Sequence, residues 1–435
     1  MSREPLRPLA KWLRRKASEV ERITLIEGRR IVLGVTGSIA AFKAADLASK
    51  LTQMGALVDV IMTEAAQRFV TPLTFRALTG RPVYTDMWAT DNSGGLPTHI
   101  AHVGLGEGAD LLAIVPATAN HIARLTYGLA DDLLTLTALN VRCPVLLAPA
   151  MDGDMYVHPA TTENIRRLQE RGIIVVPPES GRMASGLEGR GRLPEVPTLV
   201  GLIRHQLGRE VGQLRGRSIV VTAGGTREAI DPVRYVSNRS SGKQGYAVAQ
   251  AALDAGAQVT LITAPTVLEA PVGATVIDVE SAQDMYEAVM NATEASDALV
   301  MAAAVADYRP RTVAEQKIKK SSSTLSLSLT RTQDILQAVG ERRAETGFPH
   351  VLIGFAAETH DLMTNAESKL KRKNADYIIA NDVTAEGAGF QYDTNVVTIL
   401  GADGSVVSLP QQTKAAVAEA IIQRIATRLQ TVPRR

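Results

Sequence analysis

Short apolar runs bounded by glycine or proline recur along the chain, separated by stretches with apolar residues every three to four positions. Ile31-Val-Leu-Gly-Val-Thr-Gly37 reads as a strand ending in a turn. Residues 39–54 read as a helix, with Ala40, Ala41, Ala44, Leu47, Ala48 and Leu51 at helical spacing. Val58–Thr63, Leu111–Pro116, Val145–Pro149 and Ile173–Pro177 read as further strands. The pattern restarts at Arg217-Ser-Ile-Val-Val-Thr-Ala-Gly-Gly225. It continues with a helix over about 243–255 and strands at Gln258–Thr263, Ala298–Ala303, His350–Phe355 and Asp376–Ala380. A hairpin near Asn395–Leu409, turned by Asp403-Gly404, and a helix over 413–429 close the chain. Alternating strands and helices predict two doubly wound α/β domains with mostly parallel sheets. The expected divisions are an N-terminal extension (1–28), a first domain (29–205), a linker (206–216) and a second domain (217–435).

Composition narrows the picture. The 435 residues are 45% hydrophobic and 21% charged, enough for two cores, and the formal net charge of +2 gives no field for nucleic-acid binding. No run of about 20 apolar residues exists, and the N-terminus lacks a signal-peptide core, so a cytoplasmic protein without a membrane partner is expected. The single cysteine, Cys143, lies in an apolar run and is expected to be a structural thiol. Residues 3–30 carry nine Lys/Arg and four Glu around Leu6, Leu9, Trp12 and Leu13, and read as a solvated helical extension.

Ligands of doubly wound sheets bind beyond the carboxyl ends of the strands. In the first half those positions hold Thr36-Gly-Ser-Ile-Ala-Ala-Phe-Lys43, Pro116-Ala-Thr-Ala-Asn120 and Pro149-Ala-Met-Asp-Gly-Asp-Met155, with Gly128-Leu-Ala-Asp-Asp-Leu133 one helix further on. The first turn lacks the GxGxxG spacing of a dinucleotide site and leans towards a mononucleotide. Over residues 29–205 these motifs resemble the homo-oligomeric flavin-containing cysteine decarboxylases. The resemblance implies a flavodoxin-like flavoprotein that binds FMN between subunits of a trimer, with Gly37, Ser38, Thr63, Thr118 and Asn120 as cofactor contacts. It implies His102 as the catalytic histidine, because His102 keeps the family's distance to Asp110 and His99 is three residues out of register. His99, His121 and His158 are expected to be ordinary satisfied residues. Asp152 and Met155 fall in the substrate motif, where the family has asparagine for Asp152. Ser185 stands in the flap that follows, where a cysteine is common, and a serine hydroxyl is a weaker acid than a thiol.

In the second half, Ala223–Gly245 contains two glycines that allow close backbone approach. Ser240, Ser241 and Gly242 at a helix start form an anion nest beside Lys243. Met301-Ala-Ala-Ala-Val-Ala-Asp-Tyr308, Lys317-Ile-Lys-Lys320, Gly354-Phe-Ala-Ala-Glu-Thr359, Lys369 with Lys373, and Asn381-Asp382 follow. Over 215–430 these blocks resemble the phosphopantothenate–cysteine ligases, and the fused order resembles the bacterial bifunctional decarboxylase/ligase family. The resemblance implies a Rossmann-like nucleotide-binding ligase. It further implies that CTP activates 4′-phosphopantothenate to an acyl-cytidylate, that cysteine displaces CMP, and that the flavin domain decarboxylates the product to 4′-phosphopantetheine. By the same resemblance Asn238 handles the acyl-cytidylate. Asp307, Lys317, Phe355, Lys369 and Lys373 bind the nucleotide, Ala302 and Ala303 line it with backbone, and Mg²⁺ bridges the phosphates. Thr332-Gln333-Asp334 replaces the usual Asn-Pro-Asp. The expected assembly is a homo-oligomer of flavoprotein trimers and ligase dimers. A second reading keeps the ligase and makes the flavin half a binding or assembly module.

Overall fold

The computed structural model describes residues 25–433 except 89–95, 97, 183–185, 320–324, 359–361, 383–388 and 390. The charged N-terminal extension and Ser185 therefore lie outside the described residues. The chain divides into two compact units, 1–207 and 208–435.

In the first unit six parallel strands take the order β3-β2-β1-β4-β5-β6: β1 (Arg30–Val35), β2 (Leu57–Met62), β3 (Val83–Tyr84), β4 (Leu111–Ala117), β5 (Val145–Pro149) and β6 (Ile174–Val175). Alternation along β1 sends Ile31, Leu33 and Val35 to one face and Val32 to the other. The first face is covered by α1 (Ala41–Gln53) and α2 (Pro72–Thr79). The other carries α3 (Ala101–Glu107), α4 (Ala119–Tyr127), α5 (Leu133–Asn140) and, beyond the five-residue α6 (Gly153–Val157), α7 (Pro159–Glu170). The strand order reverses between β1 and β4, which opens a crevice at their carboxyl ends. Ile173–Pro177 contributes only the two-residue edge strand β6, paired with β5. A hairpin of β7 (Glu179–Arg182) and β8 (Glu188–Arg192) follows, then α8 (Val196–Val211). Residues 206–211, expected within a linker, are the last turns of α8. The helical period of Val196, Leu199, Val200, Ile203 and Leu207 carries on across the polar residues.

The main sheet of the second unit has eight strands in the order β13-β12-β9-β14-β17-β18-β19-β20. β9 (Ser218–Ala223), β12 (Gln258–Thr263), β13 (Thr275–Asp278), β14 (Ala298–Met301), β17 (Val351–Glu358) and β18 (Tyr377–Asp382) are parallel. β19 (Thr394–Gly401) and β20 (Val406–Thr413) add an antiparallel hairpin. Gly404 turns it at φ +82, a conformation that costs a residue with a Cβ. One face is packed by α9 (Lys243–Asp254) and the closing helix α13 (Lys414–Leu429). The other is packed by α10 (Ala282–Ala292), α11 (Ile335–Thr346) and α12 (Leu362–Arg372). Two small hairpins, β10 (Arg227–Asp231) with β11 (Arg234–Ser237) and β15 (Tyr308–Pro310) with β16 (Leu329–Arg331), stand outside the main sheet.

Candidate functional sites

In the first unit, the residues after β1, β2 and β4 come from three adjacent strands and share one edge. The buried Thr36 hydroxyl donates to the Pro116 carbonyl at 2.8 Å and accepts from the Thr118 N–H at 3.0 Å. This stitches the Gly37–Ser38 turn to the Thr118–Asn120 turn. Gly37 lies so close to Ala65 that a Cβ would meet the Ala65 Cβ at 2.4 Å, so the turn after β1 nests against the one after β2. Ser38 Oγ accepts from Ala40 N, Thr63 Oγ1 from Ala66 N, and Thr118 Oγ1 from His121 N. Asn120 is exposed. Three hydroxyls and a carboxamide around one crevice are suitable partners for a phosphate and a polyol chain, and FMN fits that donor set.

Asp152 caps α6 by accepting from Asp154 N at 3.3 Å, and Met155 is half-exposed on that helix. The β7–β8 hairpin is seated here. Met151 N donates to the Gly191 carbonyl at 3.1 Å, and a Cβ on Gly191 would stand 2.2 Å from the Met151 carbonyl. Arg190 lies 5.7 Å from the centre of the Tyr156 ring. The flap thus reaches the segment after β5. His102 is partly exposed on α3, with its carbonyl accepting from Asn140 Nδ2 at 3.5 Å. Among the described residues, no hydrogen bond joins its ring to the strand-end cluster. His121 is buried against Asp132 at 2.8 Å, His158 caps α7 through Nδ1, and His99 is exposed.

In the second unit, a cavity of about 950 Å³ opens at the carboxyl ends of the strands. Asn238, Ala302, Ala303, Asp307, Phe355, Lys369 and Lys373 all line it. The Asn238 carboxamide donates to the Ala304 and Val305 carbonyls at 3.3 and 3.0 Å. Two buried threonines hold the 302–306 wall: Thr222 Oγ1 accepts from Ala303 N, and Thr226 Oγ1 from Ala306 N. Lys373 is nearly buried, ion-paired to Asp334 and hydrogen-bonded to Gln337. Asp334 caps α11 through Gln337 N, so the Thr332-Gln333-Asp334 variant still delivers a carboxylate to the wall.

Lys317 is exposed and is not part of this lining. Its neighbour Ile318 is anchored elsewhere: its N–H donates to Asp231 at 3.1 Å and its carbonyl accepts from Arg234 at 3.0 Å. Asp231 also takes the Arg234 guanidinium and two backbone N–H groups, which hold its carboxyl well below the usual range despite burial.

The pattern along the chain marked Asn381 only as part of a block after a strand and did not single out Asn395 or Lys414; all three are in the wall. Lys414 and Asn395 come from the closing helix and the antiparallel hairpin, far in sequence from the glycine-rich turn they face. The signal was faint: a lysine at a helix start and an asparagine opening a strand.

Two family models match the chain. Residues 20–208 match the flavoprotein family, and residues 214–429 match the DNA/pantothenate metabolism flavoprotein C-terminal domain. The coenzyme A biosynthesis bifunctional protein CoaBC of Bacillus subtilis (strain 168) is 48% identical over 404 residues, covering 92% of this chain and 98% of that one. The protein of the same name from Mycobacterium tuberculosis (strain ATCC 25618 / H37Rv) is 45% identical over 410 residues, covering 92% and 96%. A crystal structure of the C-terminal domain of a CoaBC protein aligns with 51% of this chain and 99% of its own, at 43% identity and a TM-score of 0.43. With nearly half its residues shared across almost the full length of both chains, this protein belongs to the family of coenzyme A biosynthesis bifunctional proteins.

Proposed function

We propose that the second unit joins cysteine to 4′-phosphopantothenate at the expense of CTP, and that the first unit decarboxylates the product to 4′-phosphopantetheine. The observation that carries the reading is the cavity, whose wall gathers Asn238, the 302–303 backbone, Asp307, Phe355, Lys369 and Lys373 from four separate segments. Lys369 and Lys373 supply positive charge where a triphosphate would lie, and Phe355 supplies an apolar surface for a base. Asn238, with its amide nitrogen committed to two carbonyls, keeps its oxygen as an acceptor for the activated acid. Among the described residues no three His, Cys, Asp or Glu side chains form a metal-binding group. Mg²⁺ would therefore be carried mainly by the substrate phosphates, whose charge it offsets.

In the first unit, Gly37, Ser38, Thr63, Thr118 and Asn120 would hold FMN, which supplies hydride acceptance and return during decarboxylation. His102 would move a proton, since an imidazole can both donate and accept one. Asp152 and Met155 would contact the substrate, and Ser185 would stand in for the family's cysteine as a proton donor. Ile39 and Phe42 are 58% and 61% exposed beside the cofactor turn, an apolar surface suited to a second copy in a homo-oligomer.

Purified protein given 4′-phosphopantothenate, cysteine, CTP and Mg²⁺ is expected to yield pyrophosphate, CMP and 4′-phosphopantetheine by mass spectrometry, and to release FMN on denaturation. Absence of pyrophosphate, or FAD in place of FMN, would refute the corresponding half.

A further inference from the structure

One residue of the cofactor turn and its helix has no part in the reading above. Lys43 closes the Thr36–Lys43 motif and stands in the first turn of α1. A cation there faces the positive end of the helix dipole, which disfavours it. Its side chain is only 12% exposed, so the ammonium also gives up most of its water and needs acceptors in exchange. Nζ finds three. It donates to the Leu193 carbonyl at 3.0 Å and to Glu195 Oε1 at 3.0 Å, with the Pro194 carbonyl at 3.5 Å. An ammonium has three N–H groups, and all three acceptors come from one stretch of chain, 193–195, far away in sequence.

That stretch is the stem of the β7–β8 flap. Arg192 ends β8, Glu179 begins β7, and the two face each other in the hairpin register. Both meet at Glu195: Arg192 forms an ion pair with its carboxylate, and Glu179 Oε1 accepts from its N–H at 3.4 Å. From the stem, β8 runs to the substrate motif through the Met151–Gly191 hydrogen bond and the Arg190–Tyr156 contact. In the other direction, Lys43 follows Ser38 on the helix that the cofactor turn opens. Leu193 and Val196 already pack into the same core as Ala41, Ala44 and Leu47, so the fold of the stem does not rest on the lysine. Apolar packing has no direction, whereas hydrogen bonds from one ammonium do.

We propose that Lys43 is a positioning residue for decarboxylation: by gripping residues 193–195 it fixes the stem of the flap against the cofactor helix, and so sets how closely β8 holds the Met151–Met155 substrate segment. The inference rests on the decarboxylase reading above. An exposed ion pair with Glu195 alone would add little. The Leu193 and Pro194 carbonyls make the grip one on the path of the chain, which no side-chain rotation releases.

The test supplies 4′-phosphopantothenoylcysteine directly to the full-length protein, which bypasses ligation. Lys43→Met keeps the length of the side chain and loses the donors. It is expected to raise the KM for this substrate about tenfold and to change kcat by less than about threefold, with bound FMN at the wild-type level. Trypsin is expected to cut after Arg190 and Arg192 several-fold faster than in the wild type, a readout independent of activity. Lys43→Arg keeps the cation and its donors and is expected to recover most of the KM and of the protection. Glu195→Ala, at an exposed position, loosens the same grip and is expected to shift KM and cleavage the same way by a smaller factor. It carries the test if Lys43→Met loses FMN. A raised KM with unaltered cleavage would place Lys43 against the substrate and not the flap, and would overturn the proposal. So would a fall in kcat at constant KM, which would assign the lysine to the reacting groups. Failure of the wild type to decarboxylate would overturn the decarboxylase reading and this inference together. Normal wild-type decarboxylation with an unaltered KM in both Lys43→Met and Glu195→Ala would overturn the inference alone.

Discussion

Cys143 is half-buried, and burial pushes its thiol up to about 11. At pH 8 fewer than about one thiol in a hundred would be ionised, and the thiolate is the reactive form. Alkylation by iodoacetamide at pH 8 should therefore be far slower in native than in unfolded protein, and Cys143→Ala should leave both activities unchanged. Rapid native labelling would contradict the assignment of a structural thiol. Asn238 gives a second expectation at this scale. A carboxylate cannot donate to the Ala304 and Val305 carbonyls, and Asn238→Asp would set three oxygens against one another. Conversion of the acyl-cytidylate to amide should fall by roughly a hundredfold, the scale expected when one preorganised polar contact to the transition state is lost. Phosphopantothenoyl-CMP should then accumulate in a single turnover with cysteine present. The hydroxyls and amides that follow strands could be read from the chain, because a strand end in a doubly wound sheet is already a ligand position. Thr222 and Thr226 could not, since each works by holding backbone some 80 residues away.

At the scale of the element, α5 depends on one carboxylate. Asp132 caps the helix by accepting from Thr135 N at 2.8 Å, and it also receives His121 from α4. Burial alone would raise its pKa. The His121 and Thr135 hydrogen bonds prevail and hold it at about 2. A depressed carboxylate contributes stability that is complete above its unfolded value near 4 and is lost as pH falls through 2. Asp132→Asn should therefore unfold more easily at neutral pH, by about 1 kcal/mol once partial exposure is allowed for, and the gap should close between about pH 4 and 2. Denaturant titrations at pH 7 and pH 3 measure it, and a gap that stayed constant would refute the cap. The β10–β11 hairpin shows what periodicity does not reveal. Its strands are polar and irregular, with a bulge between Ala229 and Asp231, so no alternation announces them. They are held by Asp231, which also pins Ile318. Asp231→Asn should loosen residues 314–318, and trypsin should cut after Lys317 and Lys319 several-fold faster than in the wild type. Unchanged cleavage would mean that other contacts secure the segment.

At the scale of the whole molecule, each of the four core clusters is drawn from one unit: two from residues up to Leu207, two from Leu214 onwards. The restart at Arg217 announced this, because a second Gly-ended strand begins a second sheet. The linker could not be placed as well, since α8 keeps its helical period through residues whose polarity suggests a break. Separate cores imply separable lesions. His102 lies on α3, a surface helix whose buried positions are Ala101, Gly104, Leu105 and Gly106, so His102→Asn removes the imidazole without opening a cavity. The substitution should abolish decarboxylation while the flavin spectrum and pyrophosphate release remain at wild-type levels, and phosphopantothenoylcysteine should accumulate as the end product. Retained decarboxylation, with loss instead in His99→Asn, would move the proton-transfer role three residues upstream. A simultaneous fall in ligation would show that the two activities do not respond independently. Full decarboxylation in both variants would leave neither histidine with that role and would turn attention to the flap around Ser185.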